Sequence, residues 1–269
     1  MHPILLKLGP VTVYSYGAAL AVAFLLAVGL ASHVTERALQ EGVPMREAAL
    51  LDWGCWTMIG GILGGRVLYV ILNWEAYRSQ PQETLALWHG GLVWYGGFIG
   101  GLLGQALYFN THGYPFLRST DQVIPFVALG HAVGRIGCFA NGCCYGKPTD
   151  AWFGVAFPGH AHRVIPTQLF ESASLVVLYL LLRKLQTRTR LSRPGALLGC
   201  YLIGYAVIRW TLEFWRGDQP VVWASWTLPQ LISLLALIVG IGLVIKRTNA
   251  PRDQQPAASS QQSAKSRHG

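Results

Sequence analysis

The sequence predicts an all-α fold, a polytopic bundle of about seven transmembrane helices with the N-terminus outside and the C-terminus in the cytoplasm. Three observations predict it. The chain is 52% hydrophobic and only 12% charged, too apolar for an ordinary soluble domain. Its apolar residues fall in blocks of about 20, the length a helix needs to cross roughly 30 Å of hydrocarbon. Finally, its basic residues are unevenly placed. Of 21 Lys and Arg, 13 lie in alternate loops and the tail, 5 on the opposite side and 3 inside the apolar blocks. This asymmetry satisfies the positive-inside rule with an odd number of spans. It also accounts for the net charge of +9, so a nucleic-acid partner is not required.

The blocks run, in order, over Val11–Ser32, Ala48–Leu72, Gly91–Phe109, Asp121–Phe139, Gln168–Leu182, Gly195–Phe214 and Trp226–Ile245. The first is a span rather than a cleaved signal, because its leading residues are hardly basic and no small-x-small site follows. The fourth is the least apolar, and half-burial or a re-entrant course stays open for it. Residues 1–247 read as a single domain. The Gln-, Ser-, Ala- and Pro-rich stretch 248–269 cannot bury a core and reads as a disordered cytoplasmic tail.

Three arginines, Arg66, Arg135 and Arg209, lie within these blocks. An arginine at mid-bilayer costs several kcal/mol, about 3 on the lenient insertion scales, so each needs a partner or a cavity. Pairing with Asp52, Asp121, Glu171 or Glu213 is the bland explanation, and Arg66, in Gly64-Gly65-Arg66, is the best candidate for it. Three such charges in one small chain otherwise point to an anion.

Arg209, Glu213 and Arg216 are spaced by four and three, which puts them on one helical face. Glu213 can orient Arg209, and Arg216 falls at the outer interface beside Phe214 and Trp215. The densest stretch is Gly130-His131-Ala-Val-Gly134-Arg135-Ile-Gly137-Cys138-Phe-Ala-Asn141-Gly142-Cys143-Cys144-Tyr145-Gly146. Its glycines allow close approach of backbone to ligand. Arg135 would be the charge held there, and Asn141 can donate to an oxygen. The third block opens on Trp94-Tyr95-Gly96-Gly97. Tyr95, and Tyr16 at the outer end of the first block, can offer hydroxyls to a headgroup, although belt aromatics also occur at such positions.

The cysteines, Cys55, Cys138, Cys143, Cys144 and Cys200, lack metal-ligand spacing, and the adjacent pair suits neither zinc nor an ordinary disulfide. They read as small buried side chains, and neither a metal nor a cofactor is expected. No Gly-x-Ser-x-Gly motif appears, and His131 reads as a packing residue.

Taken together, Gly134-Arg135-Ile-Gly137-Cys138-Phe-Ala-Asn141-Gly142, then Pro166-Thr-Gln168-Leu-Phe-Glu171, then Arg209/Glu213/Arg216 resemble the prolipoprotein diacylglyceryl transferases. Tyr16-Gly17, Gly64-Gly65-Arg66, Tyr95-Gly96-Gly97 and Asp121 fall in the order that family shows, and the likeness extends to about Ile245. The resemblance implies transfer of the sn-1,2-diacylglyceryl group of phosphatidylglycerol to the lipobox cysteine of a prolipoprotein, in the bacterial cytoplasmic membrane. It implies that Arg135 and Arg209 hold the lipid phosphate, with Asn141, Gly142, Glu213, Tyr16 and Arg216 shaping the site. The sequence departs from the family's better-known members in three places. Tyr95 stands where they carry a histidine, Cys138 where an Asn is frequent, and Cys143 where a Glu follows Asn-Gly. The general base is therefore unassigned.

The chemistry is compatible. A thiolate attacking an sp³ glyceryl carbon expels a phosphate monoester, whose developing charge suits permanently charged, forked guanidinium groups. Two other readings use the same residues: a lipid-binding or transport protein without covalent chemistry, and a redox protein using Cys143-Cys144.

Overall fold

The computed structural model describes residues 4–8, 11–38, 45, 47–87, 90–158, 161–188, 194–217, 220–223 and 226–248. All seven apolar blocks form helices. They are α1 (Ser15–Ala38), α2 (Glu47–Leu72), α4 (Trp94–Thr111), α5 (Phe116–Asn141), α6 (Thr167–Arg188), α7 (Ala196–Glu213) and α8 (Leu228–Thr248). A short α3 (Trp74–Ser79) and a 3-10 turn (Pro81–Leu85) lie between α2 and α4. The all-α expectation needs one addition, three two-stranded antiparallel hairpins. These are β1 (Ile4–Leu8) with β2 (Val11–Tyr14), β3 (Val155–Ala156) with β4 (Arg163–Val164), and β5 (Val221–Trp223) with β6 (Trp226–Thr227). Val11–Tyr14, counted as the start of the first span, is strand because its consecutive β-branched residues favour extended backbone, which pairs with Ile4–Leu8.

Among the described residues, four helical stretches are long and apolar enough to cross a bilayer: Ser15–Val34, Ala48–Leu72, Phe116–Asn141 and Leu228–Ile245. The fourth block, least apolar in sequence, is among them as one continuous helix. Large apolar side chains such as Leu25, Leu103 and Ile71 are 60–67% exposed, a surface suited to lipid rather than water.

α5 is the central helix, packed on α1, α6 and α7, while α2 pairs with α4 and α7 with α8. One apolar core joins Leu50, Trp53, Tyr108, Phe109, Val123 and Phe126. A second joins Ile124, Ala128, Leu175, Leu178, Leu182 and Leu197 across α5, α6 and α7. The α2–α4 seam is glycine on glycine. A Cβ added at Gly60 would stand 2.5 Å from the Gly100 carbonyl oxygen, and one at Gly104 would stand 2.5 Å from that of Trp56. Only side chains without a Cβ permit this approach.

Polar groups inside the bundle complete its backbone bonding. Pro125 has no N–H to give the carbonyl four residues earlier, and Gln186 Nε2 on α6 donates to that Asp121 oxygen and to Gln122 O instead. The Asp121 carboxylate accepts from the backbone N–H groups of Gly195 and Leu198, the latter at 2.8 Å. It thus caps α7 from another helix, where the exposed donors and positive dipole end favour an anion. Asp121 is therefore engaged with a helix terminus and not with an arginine.

Candidate functional site

Arg66 is buried and, among the described residues, is hydrogen-bonded to backbone carbonyls alone. Its Nε donates to Thr84 O at 2.9 Å, Nη1 to Gly90 O and Gly91 O, and Nη2 to Glu83 O at 2.6 Å and Ala86 O at 3.2 Å. The Tyr69 and Tyr77 rings lie 5.7 and 5.3 Å from its guanidinium carbon. The sequence offered acidic partners for it. The structure supplies five carbonyls because the α2–α4 connection turns back over the guanidinium, so Arg66 organises that connection.

The other two arginines are held differently. Arg135 Nη2 lies 2.9 Å from Glu171 Oε1, and Arg209 Nη1 lies 2.6 Å from Glu213 Oε2 on the next turn of α7. Glu213 Oε1 also accepts from Thr227 Oγ1 at the start of α8. Both carboxylates are buried, at 1% and 5% exposure. Arg135 Nε is a buried donor with no hydrogen-bond partner among the described residues, and Arg209 Nη1 likewise lacks an aligned one.

His131 sits between these pairs. Its Nε2 is 4.0 Å from Glu171 Oε1, and its ring centroid is 5.0 Å from that of Tyr205. Arg135 and Arg209 both act electrostatically on His131 and on Tyr205, and the Tyr205 oxygen accepts a hydrogen bond from Arg135. Tyr205 stacks in parallel on Tyr201, at 6.1 Å. His131 and Tyr205 were not singled out from the sequence as site residues. A usable signal existed, since each precedes its arginine by four residues and so shares its helical face.

The remaining candidates surround the outer end of α5. Asn141 is exposed in the last turn, and Gly142 caps the helix in a left-handed conformation, φ +78°. Residues 142–146 are pinned from α6, where Gln168 Nε2 donates to Cys143 O and Thr167 Oγ1 to Cys144 O at 2.9 Å. Tyr16 approaches from the first turn of α1, within electrostatic range of Arg135 and Cys138. Arg216, expected at the interface, is only 8% exposed, because its backbone pairs with Gly146 and draws it under the loop. Tyr95 stands in the first turn of α4. It is 39% exposed, with its ring edge-on to that of Trp94.

The structure thus gathers two guanidinium–carboxylate pairs, both with buried carboxylates, around His131 and Tyr205. They lie near the end of the bundle where α5 and α7 finish and α1, α6 and α8 begin. Such an arrangement can receive an anion on paired, oriented donors. A family model described as prolipoprotein diacylglyceryl transferase matches residues 3–246. The chain belongs to this family. Three phosphatidylglycerol–prolipoprotein diacylglyceryl transferases illustrate the similarity. That of Clostridium tetani is 36% identical, covering 90% of this chain and 96% of the relative. That of Synechococcus elongatus is 34% identical, covering 90% and 86%. That of Aromatoleum aromaticum is 33% identical, covering 93% and 96%. Membership spans nearly all of the helical bundle, including both arginine pairs.

Proposed function

We propose that this chain transfers the sn-1,2-diacylglyceryl group of phosphatidylglycerol to the thiol of a prolipoprotein lipobox cysteine, forming a thioether and releasing glycerol phosphate. One observation carries the reading. Arg135 and Arg209 are each held by a buried carboxylate, both act electrostatically on His131 and Tyr205, and Arg135 Nε has no hydrogen-bond partner among the described residues. The substrate sulfur forms a bond to the glyceryl carbon as the carbon–oxygen bond to phosphate breaks. The bonding pair passes to the phosphate oxygen, and the thiol proton leaves to solvent.

Charge therefore grows on the phosphate, where preorganised donors lower the barrier most. Arg135 and Arg209 are assigned to that phosphate. Glu171 and Glu213 orient them, and Arg216 adds positive potential. Asn141, Gly142 and Tyr16 shape the binding surface, and Tyr95 is assigned a hydroxyl role in orienting a substrate. A thiol's ordinary pKa of about 8.5 means that a nearby cation assists the thiolate without a dedicated base.

Residues 1–247 act as one catalytic unit in a bacterial inner membrane. Seven spans, with the N-terminus outside, place the arginine pairs toward the outer leaflet, where a secreted substrate arrives. The predicted tail disorder concerns residues that, from 249 on, lie outside the described residues. The test is incubation of the purified protein with headgroup- and acyl-labelled phosphatidylglycerol and a lipobox peptide. Acyl label joined to the peptide sulfur, with headgroup label in released glycerol phosphate, is expected. Lipid binding with no thioether product would replace this reading with a lipid-binding protein.

A further inference from the structure

The spacing of Cys138, Cys143 and Cys144 gives no metal signature, yet folding gathers them. α5 ends at Gly142 with φ +78°, and the Cys143 N–H turns back to Cys138 O at 3.2 Å. Cys144 then takes φ +66°, a left-handed conformation rare for a residue with a side chain. These turns fold the vicinal cysteines back onto the last turn of α5, and Thr167 and Gln168 hold both carbonyls there. All three sulfurs lie within 4.8 Å of one another, and the Cys143 and Cys144 Sγ atoms are 3.6 Å apart.

We propose that Cys138, Cys143 and Cys144 form a trithiolate site for a thiophilic divalent cation of the zinc class. Tetrahedral zinc with Zn–S bonds of about 2.3 Å has sulfur–sulfur edges of about 3.8 Å. The pair at 3.6 Å already matches, and the widest separation closes with a movement of about 1 Å. A disulfide would join two sulfurs at about 2.05 Å and leave the third unused. Three protein sulfurs leave a fourth position for water or another thiol, as in open zinc sites.

The surroundings suit the charge. Arg216 and Arg135 both lie within electrostatic range of Cys144, so positive charge faces the thiolates. On binding, three S–H groups release protons to solvent, three metal–sulfur bonds form and bound waters leave, with no change of oxidation state. The ion would fasten the segment carrying Asn141 and Gly142 beside Arg135.

The site stands on thiol geometry and is independent of the proposed transfer reaction, so its test needs no turnover. Full-length protein in detergent is loaded with zinc or cobalt, washed, and analysed for bound metal and for thiolate-to-cobalt charge-transfer absorption. A single ion per chain is expected, retained in the Cys55→Ser/Cys200→Ser variant and lost in Cys143→Ser/Cys144→Ser and in Cys138→Ala. No metal on the wild type, or metal retained when all three cysteines are replaced, overturns the proposal. If the variants fail to fold, maleimide labelling of the wild type decides. Zinc should protect Cys138, Cys143 and Cys144 from the reagent, and identical labelling with and without zinc overturns the site.

Discussion

Arg66 and the Arg135/Arg209 pair are both cation sites in an apolar bundle, yet they are satisfied in opposite ways. Arg66 gives its donors to five backbone carbonyls between Glu83 and Gly91. Arg135 and Arg209 instead meet carboxylates and act on a histidine and a tyrosine, and Arg135 Nε keeps a donor without a partner among the described residues. A guanidinium surrounded by carbonyls is neutralised only by dipoles and has no donor left for a ligand. One held by a single carboxylate is oriented and still able to bind an anion. The difference separates an arginine that fixes chain geometry from arginines that can act on phosphate.

The largest expected effect tests this division directly. Arg135→Lys and Arg209→Lys should each lower kcat/KM about a hundredfold or more, because lysine lacks the planar fork, with little change in detergent-melting temperature. Arg66→Lys should do the reverse, lowering the melting temperature while activity per folded molecule is kept. If Arg66→Lys selectively abolished turnover in a stable protein, the comparison would break.

The next effect concerns the seam that carries Arg66. Gly60→Ala forces a Cβ against the Gly100 carbonyl and should cost about 1–3 kcal/mol, the range for overpacking, read by thermal unfolding in detergent. Asp121→Asn weakens the cap on α7, the helix that carries Arg209, and should cost about 1 kcal/mol. An unchanged melting curve would remove the capping role. Tyr95→Phe should give the smallest change, a fall of about fivefold in turnover without loss of stability, as for one modest hydrogen bond. Full turnover in that variant would leave Tyr95 without a hydroxyl role and confine the site to the arginine side of the bundle.

Much of this architecture was legible before folding because bilayer length is written directly into apolar run length. Each predicted block became a helix, with ends displaced by a few residues where capping rather than hydropathy sets the limit. The exceptions, Val11–Tyr14 and Trp226–Thr227, were apolar enough to be read as span, and strand pairing claimed them. The Arg209–Glu213 pair was equally legible, since an offset of four fixes neighbours on one helix. The Arg135–Glu171 pair was not, because it joins helices whose rotation no local pattern specifies. His131 was read as a packing residue and Tyr205 was not singled out, although their offsets of four from the arginines held the clue.

By itself, the sequence determined the class of solvent, the number of apolar helices, the costly cations among them and the family to which the chain belongs. Those properties depend on composition, run length and local spacing. Tertiary structure decided what each cation does. Arg66 met carbonyls because a loop folds over it, Asp121 met a helix terminus rather than an arginine, and Arg216 became buried under a loop. It also brought three cysteines of unpromising spacing within reach of one ion. Each of these outcomes depends on which helices touch and how they are rotated, and such long-range contacts are fixed only when the bundle packs.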